Sequence, residues 1–352
     1  MKQTNIRLAT DDDKESWNRF ALKHSDNPCH LYEWRKILEQ VYGYECIYLV
    51  AEEGNEIVGV FPTAMIRSKL FGTQICSLPF ADYGGPLLSN EAECTVINAF
   101  LDNLSAYMKQ ANFLEVRTPV QTSVADCLSK NLERGKMDYV TFVIDLSKPF
   151  EEIWKKDFDK YLRNAIRKAV KNNIEAANEN WDENLDKFYR TYLLTMKTLG
   201  SPAHGLRFFK SLHDFLGDEH LKLFLSKKSN DPIGGVVAFT GRRTIYPAYE
   251  GIHPKYRNLN PASLLFSHMI EWGCNKGYQF FDFGRTLRGS GVYNFKKQWG
   301  GNENFLPYYY LGKKIPEHDP REKYVHLSKL WGKLPISIAK RIGPYIKGGI
   351  GQ

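Results

Sequence analysis

Residues 277–301, GYQFFDFGRTLRGSGVYNFKKQWGG, read as a buried strand at Gln279–Phe283, a glycine-rich turn, and a basic-aromatic strip running from Tyr293 to Trp299. Loops at the carboxyl ends of strands are where α/β proteins hold their sites. Here the strand ends in Asp282 and Arg285, with Arg288 close behind, and Gly284, Gly289 and Gly291 expose backbone amides. Such a set suits an anionic or polar ligand. A structural pair between Asp282 and Arg285, with glycines that only turn the chain, is the competing reading.

Working outward, the strand has a counterpart. FFDFGRT (280–286) answers FLEVRT (113–118), and Ile233–Val237 answers Ile57–Val60. Between these anchors each half runs hairpin, strand, helix, strand, with the strand Thr244–Tyr249 and helices over roughly 91–110 and 262–276. Aligning Gly59 with Gly235 gives an offset of 176, and aligning Arg117 with Arg285 gives 168. A repeat of this size predicts duplication of one unit. The expected class is α/β (α+β), with mixed, mostly antiparallel sheets covered by helices. Domains are expected at 1–145 and 146–315, followed by a basic extension at 316–352.

The chain of 352 residues is long enough for two cores, and 43% hydrophobic content is ordinary for a globular protein. No stretch reaches the ~20 apolar residues that cross a bilayer, and the N-terminus lacks an apolar signal core, so a cytoplasmic location is expected. Six scattered cysteines show no metal-ligand spacing and read as reduced packing residues; no metal is expected. A formal charge of +8 and a pI near 9.0 favour anionic partners.

Other segments add candidates. Thr10–Asp13 reads as the cap of a first helix, and HLYEWRKILEQVYGYE as a second that places Trp34 on its apolar face and Lys36 beside it. The loop Ala81–Pro86 carries Asp82 and Tyr83 between strands, with glycines that let a ligand approach the backbone. The most cationic segment, PFEEIWKKDFDKYLRNAIRKAVKNNIE, puts Arg163, Arg167 and Lys171 on successive turns, where they repel one another. That pattern points to an external anion or to a solvated face. His204 sits among Gly200, Pro202 and Gly205 on an expected loop. The tail mixes Leu327, Leu330, Trp331, Ile336, Ile338 and Ile342 with Lys and Arg, which fits either packing on the core or lying in a lipid headgroup layer.

Several of these pieces together resemble a known family. HLYEWRKILEQVYGYE, PFADYGGPL, YLRNAIRKAVKNN, LGSPAHGLRFF, RNLNPASLL, the 277–301 stretch through FKKQWG, and KLPISIAKRIGPYI are similar to the FemAB-related branch of the GNAT superfamily. The likeness is greatest to the members found with PEP-CTERM/exosortase and exopolysaccharide systems. It implies two GNAT-like domains and, by analogy with other members, aminoacyl transfer from aminoacyl-tRNA to an amine of a peptidoglycan precursor. It places Lys296 at the reaction centre and Arg163, Asn164, Arg167, Lys168 and Lys36 on the anionic acceptor.

The chemistry expected is amide formation. Lys296, beside Tyr293, Phe295 and Trp299, would steady the developing oxyanion, and Asp282 or Glu250, each at a strand end, would take the amine proton; Lys296 ranks above either carboxylate. Trp34, Asp82, Tyr83, His204, Arg285, Tyr293 and Lys297 complete the candidate substrate set. An acyl-CoA enzyme of this superfamily holds pyrophosphate in a Q/R-x-x-G-x-G/A turn; here Arg257–Ala262 replaces a glycine with Asn260, and Pro261 removes an amide donor. Three functions remain in view. The first is a tRNA-dependent aminoacyltransferase of the cell envelope. The second is an acyl-CoA N-acyltransferase on an amino sugar of a nucleotide- or lipid-linked exopolysaccharide precursor. The third is a non-catalytic module binding anionic polymer or membrane. No tightly bound cofactor is expected: aminoacyl-tRNA or acyl-CoA would be a co-substrate. The tail would add peripheral contact at the inner membrane face.

Overall fold

A computed structural model describes residues 4–89, 94–118, 123–316 and 325–351. The first half opens with β1 (Thr4–Leu8), α1 (Lys14–His24) and α2 (Glu33–Tyr42). Asp13 accepts the Thr10 amide at 2.7 Å, the expected cap. Then come the hairpin β2 (Glu45–Glu53) and β3 (Glu56–Ser68), β4 (Gly72–Ser77), β5 (Leu87–Leu88), α3 (Cys94–Met108), β6 (Phe113–Arg117), α4 (Ser123–Asn131), β7 (Glu133–Arg134) and β8 (Tyr139–Asp145). The second half runs α5 (Phe150–Lys156), α6 (Lys160–Lys171), β9 (Ile174–Glu179), α7 (Trp181–Thr198) and α8 (Leu206–His220), then β10 (Leu221–Lys228) and β11 (Asp231–Thr240). It continues through β12 (Thr244–Ile252), α9 (Pro261–Lys276), β13 (Phe280–Asp282), β14 (Thr286–Leu287), α10 (Gly291–Lys297), β15 (Asn302–Phe305) and β16 (Tyr308–Gly312).

The duplication is written in hydrogen-bond register. Each hairpin closes on a two-residue turn, Gly54-Asn55 or Ser229-Asn230, with Gly54, Ser229 and Asn230 at positive φ. Two pairs further in, a β-bulge leaves Val58 unpaired in β3 and Ile233 in β11, two positions 175 residues apart. The matched glycines are therefore Gly59 and Gly234, one residue off the expected pairing. In both halves the next strand joins antiparallel, and the strand after the helix joins parallel.

The sheets are finished by exchanged strands. β6 pairs antiparallel with β16, Glu115 opposite Tyr310; β13 pairs antiparallel with β8, Asp282 opposite Val143. Glu115 and Asp282 are 167 apart, as are Val143 and Tyr310, so each half gives its last long strand to the other sheet in one register. The resulting orders are β1-β2-β3-β4-β6-β16-β7 and β14-β8-β13-β12-β11-β10-β9.

The compact units are consequently discontinuous. One comprises Met1–Tyr139, Phe305–Lys323 and Tyr345–Gln352, the other Val140–Asn304 and Tyr324–Pro344. The expected boundaries at 145 and 315 miss this, because β8 and β16 are each held by a sheet outside their own half. The first unit centres on Ile47, Leu49, Phe61, Phe100 and Leu114; the second on residues such as Phe188, Phe209, Leu223, Phe266 and Ile270. Cys94 and Cys127 form a disulfide with Cα atoms 5.1 Å apart, contrary to the expectation that all six cysteines are reduced.

Two further readings shift. The strand expected at Gln279–Phe283 is Phe280–Asp282, and the basic-aromatic strip folds as α10 because the Ser290 hydroxyl accepts the Tyr293 amide at 3.1 Å. The tail forms helices Val325–Lys333 and Ile336–Ile350. Among the described residues no helix is long and apolar enough to cross a membrane.

Candidate active site

In the second unit β12 carries a bulge of its own: Tyr249 pairs with Val237 and Pro247 with Ala238, which leaves Ala248 unpaired. Beyond it Tyr249 is buried against His204, Phe208 and Phe209. Gly251 lies so close to α7 that an added Cβ would sit 2.5 Å from the Tyr192 amide nitrogen, so only glycine fits. Glu250, between two residues committed to that face, points the other way.

Glu250 is exposed to solvent. Burial pushes the Glu250 pKa above the usual carboxylate value, while the Lys296 ammonium and then the Arg257 guanidinium draw it back down. A carboxylate made more basic than usual, and still open to solvent, is suited to accepting a proton.

Lys296 is placed differently from expectation. It is 9% exposed, and Nζ donates to the carbonyls of Phe283 at 2.7 Å, Gly284 at 2.8 Å and Arg285 at 3.0 Å. An ammonium has three N–H groups, so none of these is left for an oxyanion. Lys296 instead clips the loop after β13 and lends Glu250 a fixed positive charge. Asp282 works on the same loop: it accepts from the Thr141 hydroxyl and, at 2.9 Å, from the Gly284 amide, which suits a turn with Gly284 at φ 69°. Arg285 is half-buried at the loop's end, Tyr293 donates to Glu303 at 2.8 Å, and exposed Lys297 lies 5.9 Å from the Tyr293 ring.

The basic helix α6 is part solvated face and part local scaffold. Arg163 donates to the carbonyls of Trp154 and Lys155 at 3.3 Å and to that of Phe158, closing the end of α5. Arg167 sits 5.7 Å from the Trp154 ring and donates to Asn164 at 3.2 Å, while Lys168 and Lys171 are exposed. His204 is a correction: it is 2% exposed, stacked on Phe208 with centroids 4.2 Å apart. Its aromatic neighbours draw it into the core despite the loop-forming glycines around it.

The remaining candidates lie in the first unit. Trp34 is buried and donates to the Pro79 carbonyl at 3.2 Å; Lys36 pairs with Asp11 at 2.7 Å. Tyr83 is buried and half-buried Asp82 accepts the Tyr308 hydroxyl on its backbone oxygen at 2.8 Å.

Sequence reading missed Arg257 as a charge acting on Glu250, although it opens the turn before α9. Asn260 takes the left-handed conformation (φ 58°) that a glycine would supply there, and Pro261 begins the helix without an amide donor. Among the described residues no group of histidine, cysteine and carboxylate side chains is arranged to hold a metal.

Comparison with known proteins matches the fold. Residues 156–297, less than half of the chain, match the acetyltransferase (GNAT) domain family, and that match supports an acyltransferase. Its tandem arrangement is that of the FemX fold: the crystal structure of FemX aligns with a TM-score of 0.66 at 15% identity, over 92% of this chain and 100% of that one. L-PGS from Bacillus licheniformis aligns at 0.58 and 13% identity, over 93% and 99% of the two chains. A tandem GNAT protein from the clavulanic acid biosynthesis pathway aligns at 0.56 and 10% identity, over 89% and 100%. No curated protein matches the sequence.

Proposed function

We propose that the protein transfers an aminoacyl group from aminoacyl-tRNA to an amine of an anionic cell-envelope precursor, with Glu250 as general base. The carrying observation is Glu250 itself, exposed beyond the bulge of β12 on the face opposite Tyr249 and Gly251 and within the matched domain; burial of its surroundings also raises its pKa. Glu250 takes a proton as the amine attacks the ester carbonyl; the C–N bond forms, the C–O bond breaks, and the tRNA hydroxyl leaves carrying a proton. Exposed Lys168 and Lys171 on α6 supply sites for phosphate. Pro261 withholds an amide where a CoA pyrophosphate would sit, which favours the tRNA ester.

An acyl-CoA donor acting on an amino sugar is the second reading, favoured by the match to the acetyltransferase domain family. The reaction takes place at the cytoplasmic side, where charged tRNA and acyl-CoA are made. The deciding experiment offers purified protein either charged tRNA or acyl-CoA, together with nucleotide-linked peptide or amino-sugar acceptors, and reads product masses. An aminoacyl mass increment dependent on tRNA is expected. A product formed with acyl-CoA alone replaces the first reading with the second, and no amide from either donor ends both.

A further inference from the structure

The two tail helices divide their apolar residues between inside and outside. Trp331 and Ala339 turn inward, Gly343 fits so closely that an added Cβ would lie 3.3 Å from the Ala203 backbone, and Lys197 donates to the Gly332 carbonyl at 2.9 Å. Those contacts dock the helices on the second unit. They leave a different set outward: Leu327 is 59% exposed, Leu330 60%, Ile338 44% and Ile342 37%. Leu327 and Leu330 are three apart, Ile338 and Ile342 four apart, so each pair shares a helix face. Packing on the core therefore accounts for Trp331, Ala339 and Gly343 and not for the four aliphatic side chains.

The charges that these helices themselves carry have one sign. Lys329, Lys333, Lys340 and Arg341 are exposed, and residues 325–351 contain no aspartate or glutamate. A water-facing helix ordinarily mixes both signs, and scattered single aliphatics need no explanation. Exposed aliphatic pairs on helices that carry cations and no acids match a surface with a hydrocarbon layer beneath anionic phosphates.

We infer that the helices Val325–Lys333 and Ile336–Ile350 dock the protein on an anionic phospholipid bilayer, with Leu327, Leu330, Ile338 and Ile342 entering the interface and Lys329, Lys333, Lys340 and Arg341 meeting headgroup phosphates. This goes beyond the proposed transfer reaction and needs no turnover to be tested. Full-length protein is sedimented with vesicles of phosphatidylcholine alone or of phosphatidylcholine with about a third phosphatidylglycerol. Binding to the anionic vesicles only, weakened by salt, is expected. Lys340→Gln with Arg341→Gln should lower partitioning roughly 25-fold, at about fivefold per cation, and Leu330→Ser with Ile338→Ser should lower it comparably while thermal unfolding stays unchanged. Equal sedimentation with both vesicle types, sedimentation with neither, or variants that bind like the wild type would overturn the inference, as would tail-dependent retention by RNA but not by vesicles.

Discussion

The two units end the same strand in different ways. In the first, Glu115 on β6 meets Arg117, which is 1% exposed and donates to Glu115 at 2.7 Å, to the Ala81 carbonyl at 2.8 Å and to the Gly351 carbonyl at 3.3 Å. Tyr310 donates to Glu115 at 2.9 Å, and the Phe80 amide to Gly351 at 3.2 Å, so the strand end is plugged by a guanidinium and by the backbone at Gly351. In the second unit Asp282 holds the matching register position, but the cation there is Lys296, reaching in from α10 to clip a loop. Glu250 remains open to solvent beside it. One scaffold, copied, thus yields a sealed strand end in one unit and an exposed glutamate in the other.

The largest test of that contrast is Glu250→Gln. Loss of a general base should slow turnover about 10²- to 10⁴-fold. Stability should not fall with it: a carboxyl whose folded pKa lies above its unfolded value contributes fully below the unfolded pKa and loses that contribution as pH rises through the folded pKa. At neutral pH the glutamine variant should unfold at the same or a higher urea concentration. Arg117→Ala should do the reverse, leaving Glu115 buried without its partner at a cost of about 3–5 kcal/mol in urea unfolding.

Lys296→Met sharpens the account of the clip. Removing charge-assisted bonds to backbone carbonyls should cost roughly 2–3 kcal/mol. It should also raise the Glu250 pKa and move the acid limb of kcat/KM toward higher pH, since the cation that favours the carboxylate is gone. Arg257→Gln should move the limb the same way by less, because its influence on Glu250 ranks below that of Lys296. A limb that stays in place in both variants would remove these cations from the account.

Much of the fold could be read from local pattern. FLEVRT and FFDFGRT are apolar runs bounded by turn residues, and their recurrence exposed the duplication. The exchange of β8 and β16 was not legible, because which sheet receives a strand depends on partners far away in sequence. The site was read at the level of residue type and lost at the level of direction. Asp282, Glu250 and Lys296 were all named, but the order among them turned on where the Lys296 ammonium points, which is set by three carbonyls of a loop whose shape the sequence does not declare. His204 failed for a related reason: glycines and a proline announced a loop, while the neighbouring Phe208 and Phe209 decided its burial.

The most direct measurement is the pH dependence of kcat/KM for the wild type and Glu250→Gln, assayed with the same donor and acceptor. The wild type should gain activity through a single ionisation above the ordinary carboxylate range, and the variant should show a low rate without that limb. The same limb persisting in the variant would assign the proton to another group and contradict the account.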